Sequence, residues 1–165
     1  MKLLTIIQAR YNSSRFPGKI LKKYKSISYL ELLIKRLQKS KKINKIIVAA
    51  THNSADNEIE ELCKELKIFC FRGSENDVID RYFQASKIFK AQNIVRVTAD
   101  CPLIDFKIVD EVIKKFFLKK VDYATNTMPP TFPDGMDVEV FKFNSLKKAW
   151  NESRTKTELK EHVTT

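Results

Sequence analysis

The sequence predicts an α/β fold, a three-layer sandwich in which helices cover both faces of a mainly parallel sheet. The first observation is a set of short apolar runs rich in β-branched residues, such as residues 3–7 and 46–50, which are typical of strands buried on both faces. The second is that amphipathic segments alternate with these runs along the chain. The third is the length, because 165 residues correspond to one ordinary domain. We therefore expect residues 1–165 to form a single domain.

The first half of the chain contains two strands, each followed by a helix. The predicted elements are a strand at 3–7, a helix from Ser28 to about Lys39, a strand at 44–51 and a helix from about Ser54 to Lys67. Ser28 is followed three residues later by Glu31, which is the spacing of a capping box, so the first helix is expected to begin there. Apolar residues recur at three- and four-residue steps in both helices, so each helix should pack one face on the sheet.

The second half of the chain continues the alternation and ends with an irregular stretch. The predicted elements are strands at 68–71, 94–98, 122–125 and 137–141, and helices at about 77–90, 106–119 and 145–153. Asp80 and Arg81 are interpreted as a surface pair on the helix at about 77–90. Residues 128–135 are rich in proline, which predicts an ordered arm or lid rather than a flexible tether.

Charge and cysteine content restrict the classes of partner and the compartment. The net charge of +11 keeps a nucleic acid or an acidic membrane surface open as a rival partner. The lysines are spread over helical faces and no nucleic-acid-binding motif is present, so we expect neither nucleic acid nor membrane as a partner. The three cysteines, Cys63, Cys70 and Cys101, have no metal-type spacing and indicate free thiols in a reducing cytoplasm. The sequence also shows no signal peptide and no membrane span, so we expect a cytoplasmic protein.

The loop after the first strand, residues 8–19, is the strongest candidate for a binding site. It brings Arg10, Arg15 and Lys19 together with serine hydroxyls and exposed backbone amides, a combination that suits a polyphosphate. Pro17 and Gly18 predict a rigid corner that directs Lys19 inward. A solvated basic surface loop is the alternative interpretation.

Asp100 ends the strand at 94–98 and is the candidate metal ligand. A carboxylate oxygen suits Mg²⁺, which is typically held by one or two protein carboxylates together with substrate phosphates and water. The alternative is a helix or turn cap, although Asp105 is the more obvious cap of the helix that follows. His52 and His162 have no nearby serine or cysteine partner in the sequence, so nothing indicates a hydrolase triad.

The order of residues in the first loop resembles the signature loop of the cytidylyltransferases that make CMP-activated acidic sugars. These are the acylneuraminate and 3-deoxy-manno-octulosonate enzymes, and the resemblance is greatest to the spore coat polysaccharide SpsF-like branch. The matching segments are Gln8-Ala9-Arg10-x-x-Ser13-x-Arg15-x-Pro17-Gly18-Lys19, Arg72-Gly73-Ser74, residues 98–103, Asp122-Tyr123 and residues 132–139. The resemblance therefore covers essentially the whole chain.

The resemblance implies a fold, a reaction and a set of site residues. The fold is that of the nucleotide-diphospho-sugar transferases, of GT-A-like type, and the reaction is Mg²⁺-dependent transfer of CMP from CTP to an acidic sugar with release of pyrophosphate, in surface polysaccharide biosynthesis. The implied catalytic residues are Arg10, Arg15, Lys19 and Asp100, with Asp100 as metal ligand. The implied nucleotide-binding residues are Gln8, Ala9, Arg10, Ser14, Arg15, Lys19, Arg72, Gly73, Ser74, Thr98 and Asp100. The implied acceptor-binding residues are Tyr123, Asn126, Asp134, Asp137 and Glu139.

Alternative interpretations of two segments, and alternative functions, stay open at this point. Residues 72–74 are equally well explained as a turn, and the acidic residues near 134–139 as exposed strand polarity.

Family members usually continue beyond the equivalent of residue 165, with a segment that contributes a second metal carboxylate and much of a homodimer contact. Within this chain we expect Asp137 and Glu139 to be the best second carboxylates, because alternation along one strand would turn both to the same face. A sugar-nucleotide enzyme that uses another base, a glycosyltransferase and a nucleotide-binding remnant without turnover are the alternative functions.

Overall fold

The computed structural model describes residues 3–13 and 16–155. The strands are β1 (Leu3–Gln8), β2 (Lys23–Tyr24), β3 (Ile27–Ser28), β4 (Lys45–Thr51), β5 (Phe69–Gly73), β6 (Asn93–Thr98), β7 (Tyr123–Thr125) and β8 (Glu139–Lys142). The helices are α1 (Tyr29–Leu37), α2 (Asn57–Glu65), α3 (Val78–Ile88), α4 (Phe106–Lys119) and α5 (Phe143–Ser153), with 3₁₀ turns at Lys19–Leu21 and Ser54–Asp56.

Six strands form one sheet in the order β5-β4-β1-β6-β8-β7. The first four strands of this order are parallel to one another. At the edge, β8 is antiparallel to β6, and β7 is antiparallel to β8. In the centre of the sheet, Ile6 of β1 pairs with Ile47 of β4 on one side and with Arg96 of β6 on the other. The predicted α/β class with a mainly parallel sheet is confirmed, and the carboxyl ends of the parallel strands meet at one edge.

Alternating residues of the same strands supply two separate cores. Ile7, Val48 and Val97 are buried against α1, α2 and α4, whereas the opposite face of the sheet carries Ile6 and Ile47 against α3 and α5. Each fully buried aliphatic side chain contributes about 1.5–3 kcal/mol of transfer free energy. Burial on both faces explains why the strands appear in the sequence as continuous apolar runs.

Side-chain caps fix where the helices begin. Ser28 Oγ accepts a hydrogen bond from the Glu31 amide at 3.2 Å, which confirms the predicted start of α1. The Asp105 carboxylate accepts from the Lys107 amide at 2.8 Å and caps α4. Asp100 is therefore not needed as the cap of this helix.

Three predictions of local structure are wrong. Arg81 is buried to 1% exposure and does not form a surface pair with Asp80, because α3 packs that face on the sheet. Strand β8 begins at Glu139, so Asp137 precedes the strand and does not alternate with Glu139 along it. The β2–β3 hairpin was not predicted, since each of its strands has only two residues and shows no apolar alternation.

A closed arm, residues 126–138, connects β7 to β8. The buried Asn126 carboxamide closes its base, since Oδ1 accepts from the Val138 amide at 2.8 Å and Nδ2 donates to the Met136 carbonyl at 2.7 Å. Thr131 also donates its amide to the Asn126 carbonyl at 3.0 Å. These bonds confirm that the proline-rich stretch is an ordered arm.

The longest described helix, α4, has 14 residues and carries lysines on its exposed face. A membrane span needs about 20 consecutive apolar residues. None of the helices described here is long and apolar enough to cross a membrane.

Candidate functional site

A polar cavity lies at the carboxyl ends of β1 and β6, where the parallel strands of the sheet meet. It has a volume of about 190 Å³. The residues that line it are Gln8, Arg10, Ser13, Lys19, Ile20, Thr98, Ala99 and Asp100. The topology brings the first loop and the end of β6 together because β1 and β6 are neighbours in parallel register.

Gly18 makes the corner that turns the first loop back into the cavity. Its φ of +68° is left-handed, and its amide donates to the Tyr11 carbonyl at 2.8 Å. A Cβ at this position would lie 3.0 Å from the Tyr11 ring, so both backbone conformation and contact require glycine. The next residue, Lys19, extends its Nζ to within 2.8 Å of Asp100 Oδ2. The predicted rigid corner that directs Lys19 inward is confirmed.

Asp56 anchors the other end of this loop, a role that the sequence did not reveal. Its carboxylate is 1% exposed and accepts from the Tyr11 amide at 2.6 Å. It also accepts from the amide and the hydroxyl of Thr51, at 2.7 and 2.6 Å. The buried carboxylate therefore ties the loop after β1 to the end of β4. Its hydrogen bonds offset the free-energy cost of burying a carboxylate.

Asp100 is the best placed carboxylate in the cavity. Burial raises its pKa, but hydrogen bonds from Lys19 and Thr98 and the charge of Lys19 outweigh burial, and the net pKa lies below its ordinary value. The group is therefore ionised at neutral pH. The Thr98 hydroxyl also lies 3.3 Å from the Cys101 thiol. This contact joins a residue before Asp100 to the residue after it and so holds the end of β6.

The donor set around Asp100 fits a magnesium ion that shares its ligands with a substrate. Among the described residues, no group of three His, Cys, Asp or Glu side chains could hold a metal ion. Mg²⁺ does not need such a group, because one carboxylate with phosphate oxygens and water satisfies it. Burial and then the charges of Asp134, Glu139 and Asp100 raise the pKa of Asp137.

Five of the predicted residues are brought together at this cavity. Gln8, Arg10, Lys19, Thr98 and Asp100 line it directly. Ala9 is 2% exposed and donates its amide to the Ala49 carbonyl, so its side chain faces the core. Ser14 and Arg15 lie outside the described residues. The binding roles of all these residues stay predictions.

Arg72 does not contribute its guanidinium to this cavity. It donates to the carbonyls of Thr51 and Asn53 and to Glu60 Oε2, the last at 2.7 Å. All three partners lie on or before α2, so Arg72 ties the end of β5 to that helix. The donors of Arg72 are therefore used inside the protein, and its role in nucleotide binding stays a prediction.

Gly73 and Ser74 also have internal roles. A Cβ on Gly73 would lie 2.9 Å from both Arg81 Cγ and the Phe71 ring, so glycine is required by packing. Ser74 Oγ accepts from the Asp77 amide at 3.0 Å, just before α3. Neither observation tests whether the Gly73–Ser74 backbone contacts a nucleotide.

Arg81 is the residue near the site that sequence reasoning missed. Its Nη1 donates to the Ser74 carbonyl at 2.8 Å, while Nε and Nη2 are buried and have no hydrogen-bond partner among the described residues. Burial lowers its pKa, and the charge of Arg10 lowers it further against the opposing effects of Tyr82 and Asp56. Helical periodicity was the available signal, because Arg81 follows Val78 by three residues on the buried face.

Two of the predicted acceptor-binding residues are committed to the fold. Both ends of the Asn126 amide bind backbone at the base of the arm, and Glu139 is ion-paired with Arg96 inside the sheet. Both side chains therefore have partners inside the protein, as buried polar groups usually do, and their roles in acceptor binding stay predictions. Tyr123, Asp134 and Asp137 are at least partly exposed, and their roles stay predictions.

Comparison with known proteins identifies the family. The profile of the cytidylyltransferase family matches residues 4–165. The chain belongs to the cytidylyltransferase family. This assignment confirms the resemblance seen in the first loop and around Asp100.

Two relatives of this cytidylyltransferase domain are similar over almost its whole length. An uncharacterized protein of Methanocaldococcus jannaschii is 42% identical over 99% of the chain, and the chain spans 66% of that protein. The spore coat polysaccharide biosynthesis protein SpsF of Bacillus subtilis is 32% identical over 98% of the chain, which spans 68% of it. A 3-deoxy-manno-octulosonate cytidylyltransferase of Bdellovibrio bacteriovorus is 28% identical over 78% of the chain and 52% of its own length.

Solved structures agree with the fold of this cytidylyltransferase domain. A cytidylyltransferase from Leptospira borgpetersenii superposes with a TM-score of 0.93 at 38% identity, over 99% of this chain and 69% of that one. A CMP:2-keto-3-deoxy-manno-octonic acid synthetase complexed with CTP gives a TM-score of 0.77 at 14% identity, over 97% of this chain and 85% of that one. At that low identity the second likeness concerns the fold alone.

Proposed function

We propose that this domain transfers CMP from CTP to an acidic sugar and releases pyrophosphate in a Mg²⁺-dependent reaction. The observation that carries the proposal is the meeting of Arg10, Lys19 and Asp100 in one cavity at the carboxyl edge of the sheet, in a chain of the cytidylyltransferase family. Two cations and one carboxylate are what a metal-bound triphosphate requires around it.

The reaction forms one bond and breaks one bond at the α-phosphorus of CTP. A hydroxyl of the sugar gives up its proton to solvent as its oxygen attacks the α-phosphorus, the bond to the bridging oxygen of the β-phosphate breaks, and pyrophosphate leaves with that electron pair. Arg10 and Lys19 would hold the phosphates and stabilise the charge on the leaving group. When bound by Asp100 and the phosphates, Mg²⁺ would neutralise negative charge on the triphosphate.

Arg81 and the Ser74 carbonyl support a pyrimidine base next to the phosphate site. Arg81 has buried N–H donors that lack partners among the described residues, and unpaired buried donors cost roughly 1–3 kcal/mol each. Cytosine presents acceptors at O2 and N3, whereas N3 of uracil carries a proton. A guanidinium with free donors therefore favours cytosine over uracil.

The acceptor and the cellular setting are proposed from the relatives. One is called a spore coat polysaccharide biosynthesis protein and others are 3-deoxy-manno-octulosonate cytidylyltransferases. We place this domain in the cytoplasm, in surface polysaccharide biosynthesis, acting on a sugar of the 2-keto-3-deoxy acid type. We also propose that the protein acts as a homodimer, the assembly that the resemblance to the cytidylyltransferases implies.

Calorimetry with nucleotides is the decisive experiment. CTP should bind to the chain in the presence of MgCl₂ more tightly than UTP, ATP or GTP. Equal affinity for all four nucleotides, or no binding, would overturn the assignment to CTP. Pyrophosphate release over a panel of 2-keto-3-deoxy acids then tests the transfer, and release without any acceptor would indicate a hydrolase instead.

A further inference from the structure

A buried ion pair lies directly behind the cavity, on the face of the sheet that α3 covers. Arg96 of β6 and Glu139 of β8 are paired across neighbouring strands, and Arg96 Nη1 donates to Glu139 Oε1. The two side chains are only 19% and 12% exposed. A buried ion pair is weak evidence for stability, because desolvation offsets most of the attraction. A role other than holding the sheet together therefore has to be considered.

Gln8 connects this ion pair to the cavity. Arg96 Nη2 donates to Gln8 Oε1 at 3.4 Å, and Gln8 is also a lining residue of the cavity. A guanidinium has only donors, so the atom that Gln8 turns toward Arg96 must be its oxygen. The amide nitrogen is consequently turned away from Arg96. Among residues 3–13 and 16–155 the structure gives this nitrogen no acceptor.

Glu139 is the group that neutralises Arg96. Tyr82 is the other ionisable group against the guanidinium, and its hydroxyl points to the Ile6 carbonyl at 3.5 Å. Burial raises the pKa of Tyr82 to about 12, so the phenol remains neutral at physiological pH. Without Glu139 the sheet would contain an uncompensated buried charge, which proteins avoid.

We propose that Arg96 is a positioning residue that holds the Gln8 amide with its N–H donors toward the cavity, where they bind an oxygen of the nucleotide. Glu139 acts as the counter-ion that allows Arg96 to be buried there. This inference rests on the proposed function, because the cavity is taken as the nucleotide site. It gives Glu139 a role in orienting a nucleotide contact and removes it from the acceptor site.

A double-mutant cycle on CTP binding tests the proposal. Gln8→Ala should weaken CTP binding about tenfold, the range for a hydrogen bond to a charged group. The charge-neutral pair variant Arg96→Met/Glu139→Gln should weaken it by a similar factor. Because Arg96 acts through Gln8, the triple variant should bind CTP no more weakly than Gln8→Ala alone. Losses that multiply in the triple variant, or a pair variant with unchanged affinity, would overturn the proposal.

Two further variants separate positioning from folding. Gln8→Glu keeps an oxygen for Arg96 but presents oxygen in place of N–H to the cavity, so it should lose CTP affinity while its melting temperature stays near that of the wild type. Wild-type affinity in Gln8→Glu would contradict the inference. The matched control, Lys142→Met/Asp122→Asn, removes an exposed ion pair at the other end of β8, beside Asn93, and should leave CTP affinity unchanged.

The side-chain amide signal of Gln8 gives a readout that needs no nucleotide. In ¹⁵N spectra of the free chain, the Gln8 amide should be dispersed in the wild type and in the control, and should move to random-coil positions in Arg96→Met/Glu139→Gln. An unchanged Gln8 signal would contradict positioning by Arg96. Failure of the wild type to bind CTP would overturn the proposed function instead, so the two failures are distinguishable.

Discussion

Lys19 Nζ and Asp100 Oδ2 lie 2.8 Å apart, which means that the lysine of the first loop occupies the carboxylate expected to hold the metal. The two side chains are 29% and 45% exposed, so the pair is partly solvated and contributes little to stability. Lysine and a divalent cation cannot both take the same carboxylate oxygen at close range. If the metal takes Oδ2, as we propose, Lys19 would move from Asp100 to a phosphate when the nucleotide binds.

Lys19→Gln should change metal and nucleotide binding in opposite directions. Loss of the ammonium removes a competitor for Asp100, so Mn²⁺ binding to the nucleotide-free chain, measured by electron paramagnetic resonance, should become tighter. CTP binding should weaken by about 1.5–3 kcal/mol, the range for a hydrogen bond to a charged group. Lys107→Gln, on the exposed face of α4, is the control and should change neither. Weaker Mn²⁺ binding in Lys19→Gln would contradict the competition.

Asp100→Asn should abolish the effect of Mg²⁺ on CTP binding while the domain stays folded. The amide keeps the shape of the side chain and loses the charge that binds the metal. Calorimetry with and without MgCl₂ provides the measurement. An intact Mg²⁺ response combined with an early melting transition would identify Asp100 as a purely structural residue.

The pH dependence of the same variant follows from the lowered pKa of Asp100. A carboxyl group whose pKa is lower in the folded state stabilises the protein above its unfolded pKa, here 3.8, and this contribution is lost as pH falls through the folded value. The melting temperature of the wild type should therefore exceed that of Asp100→Asn by a small margin at pH 7. The difference should shrink as pH falls below about 3.8. A difference in melting temperature that grows as the pH falls would mean that folding raises the pKa of Asp100.

Gly18→Ala should destabilise the first loop, and Gly135→Ala is its matched control. Both glycines have positive φ, +68° and +90°, but only Gly18 has neighbours that a methyl group would meet. The backbone strain, about 1–2 kcal/mol, is common to both variants, so the excess loss in Gly18→Ala measures the Tyr11 contact. CTP affinity should fall only in Gly18→Ala, since this corner places Lys19. Equal effects on urea unfolding would show that the Tyr11 contact is unimportant.

Arg81→Met should weaken CTP binding without lowering stability. The guanidinium is buried with two unpaired nitrogens, so its replacement by an apolar chain should leave the free energy of unfolding equal or higher. The ratio of CTP to UTP affinity should fall toward one. Arg36→Met is the control, because Arg36 Nε donates to the Ile104 carbonyl at 2.6 Å. Arg36→Met should lose stability and keep the wild-type ratio of CTP to UTP affinity. If Arg81→Met lost stability and kept that ratio, the assignment of Arg81 would be refuted.

Local sequence patterns predicted the elements and the edge of the sheet where the site lies. The alternation of apolar runs and amphipathic helices requires a covered parallel sheet, so Lys19 and Asp100 meet even though 81 residues separate them in the chain. Which of Arg72 and Arg81 is buried was not predictable in the same way. Arg72 follows a strand and Arg81 lies in a helix, and only the packing of α3 against Gly73 buries Arg81 and leaves Arg72 to α2.

The same limit explains the acidic residues of the arm. The spacing of Asp137 and Glu139 suggested one strand face, but the hydrogen bonds of Asn126 to Val138 and Met136 precede the strand and place Asp137 in the arm. Such closure depends on residues ten and twelve positions apart, and neither propensity nor periodicity reports contacts of this kind.

One carboxamide, that of Asn126, closes the arm on itself, so residues 127–137 are a self-contained excursion from the sheet. Their length and chemistry can change without altering the register of β7 against β8, which is set by separate backbone pairs. The segment can consequently be exchanged as a unit. A grafted arm that retains Asn126 and the two backbone groups it binds should leave the sheet unchanged, and under the proposed function it is the replacement with which a change of acceptor preference can be sought.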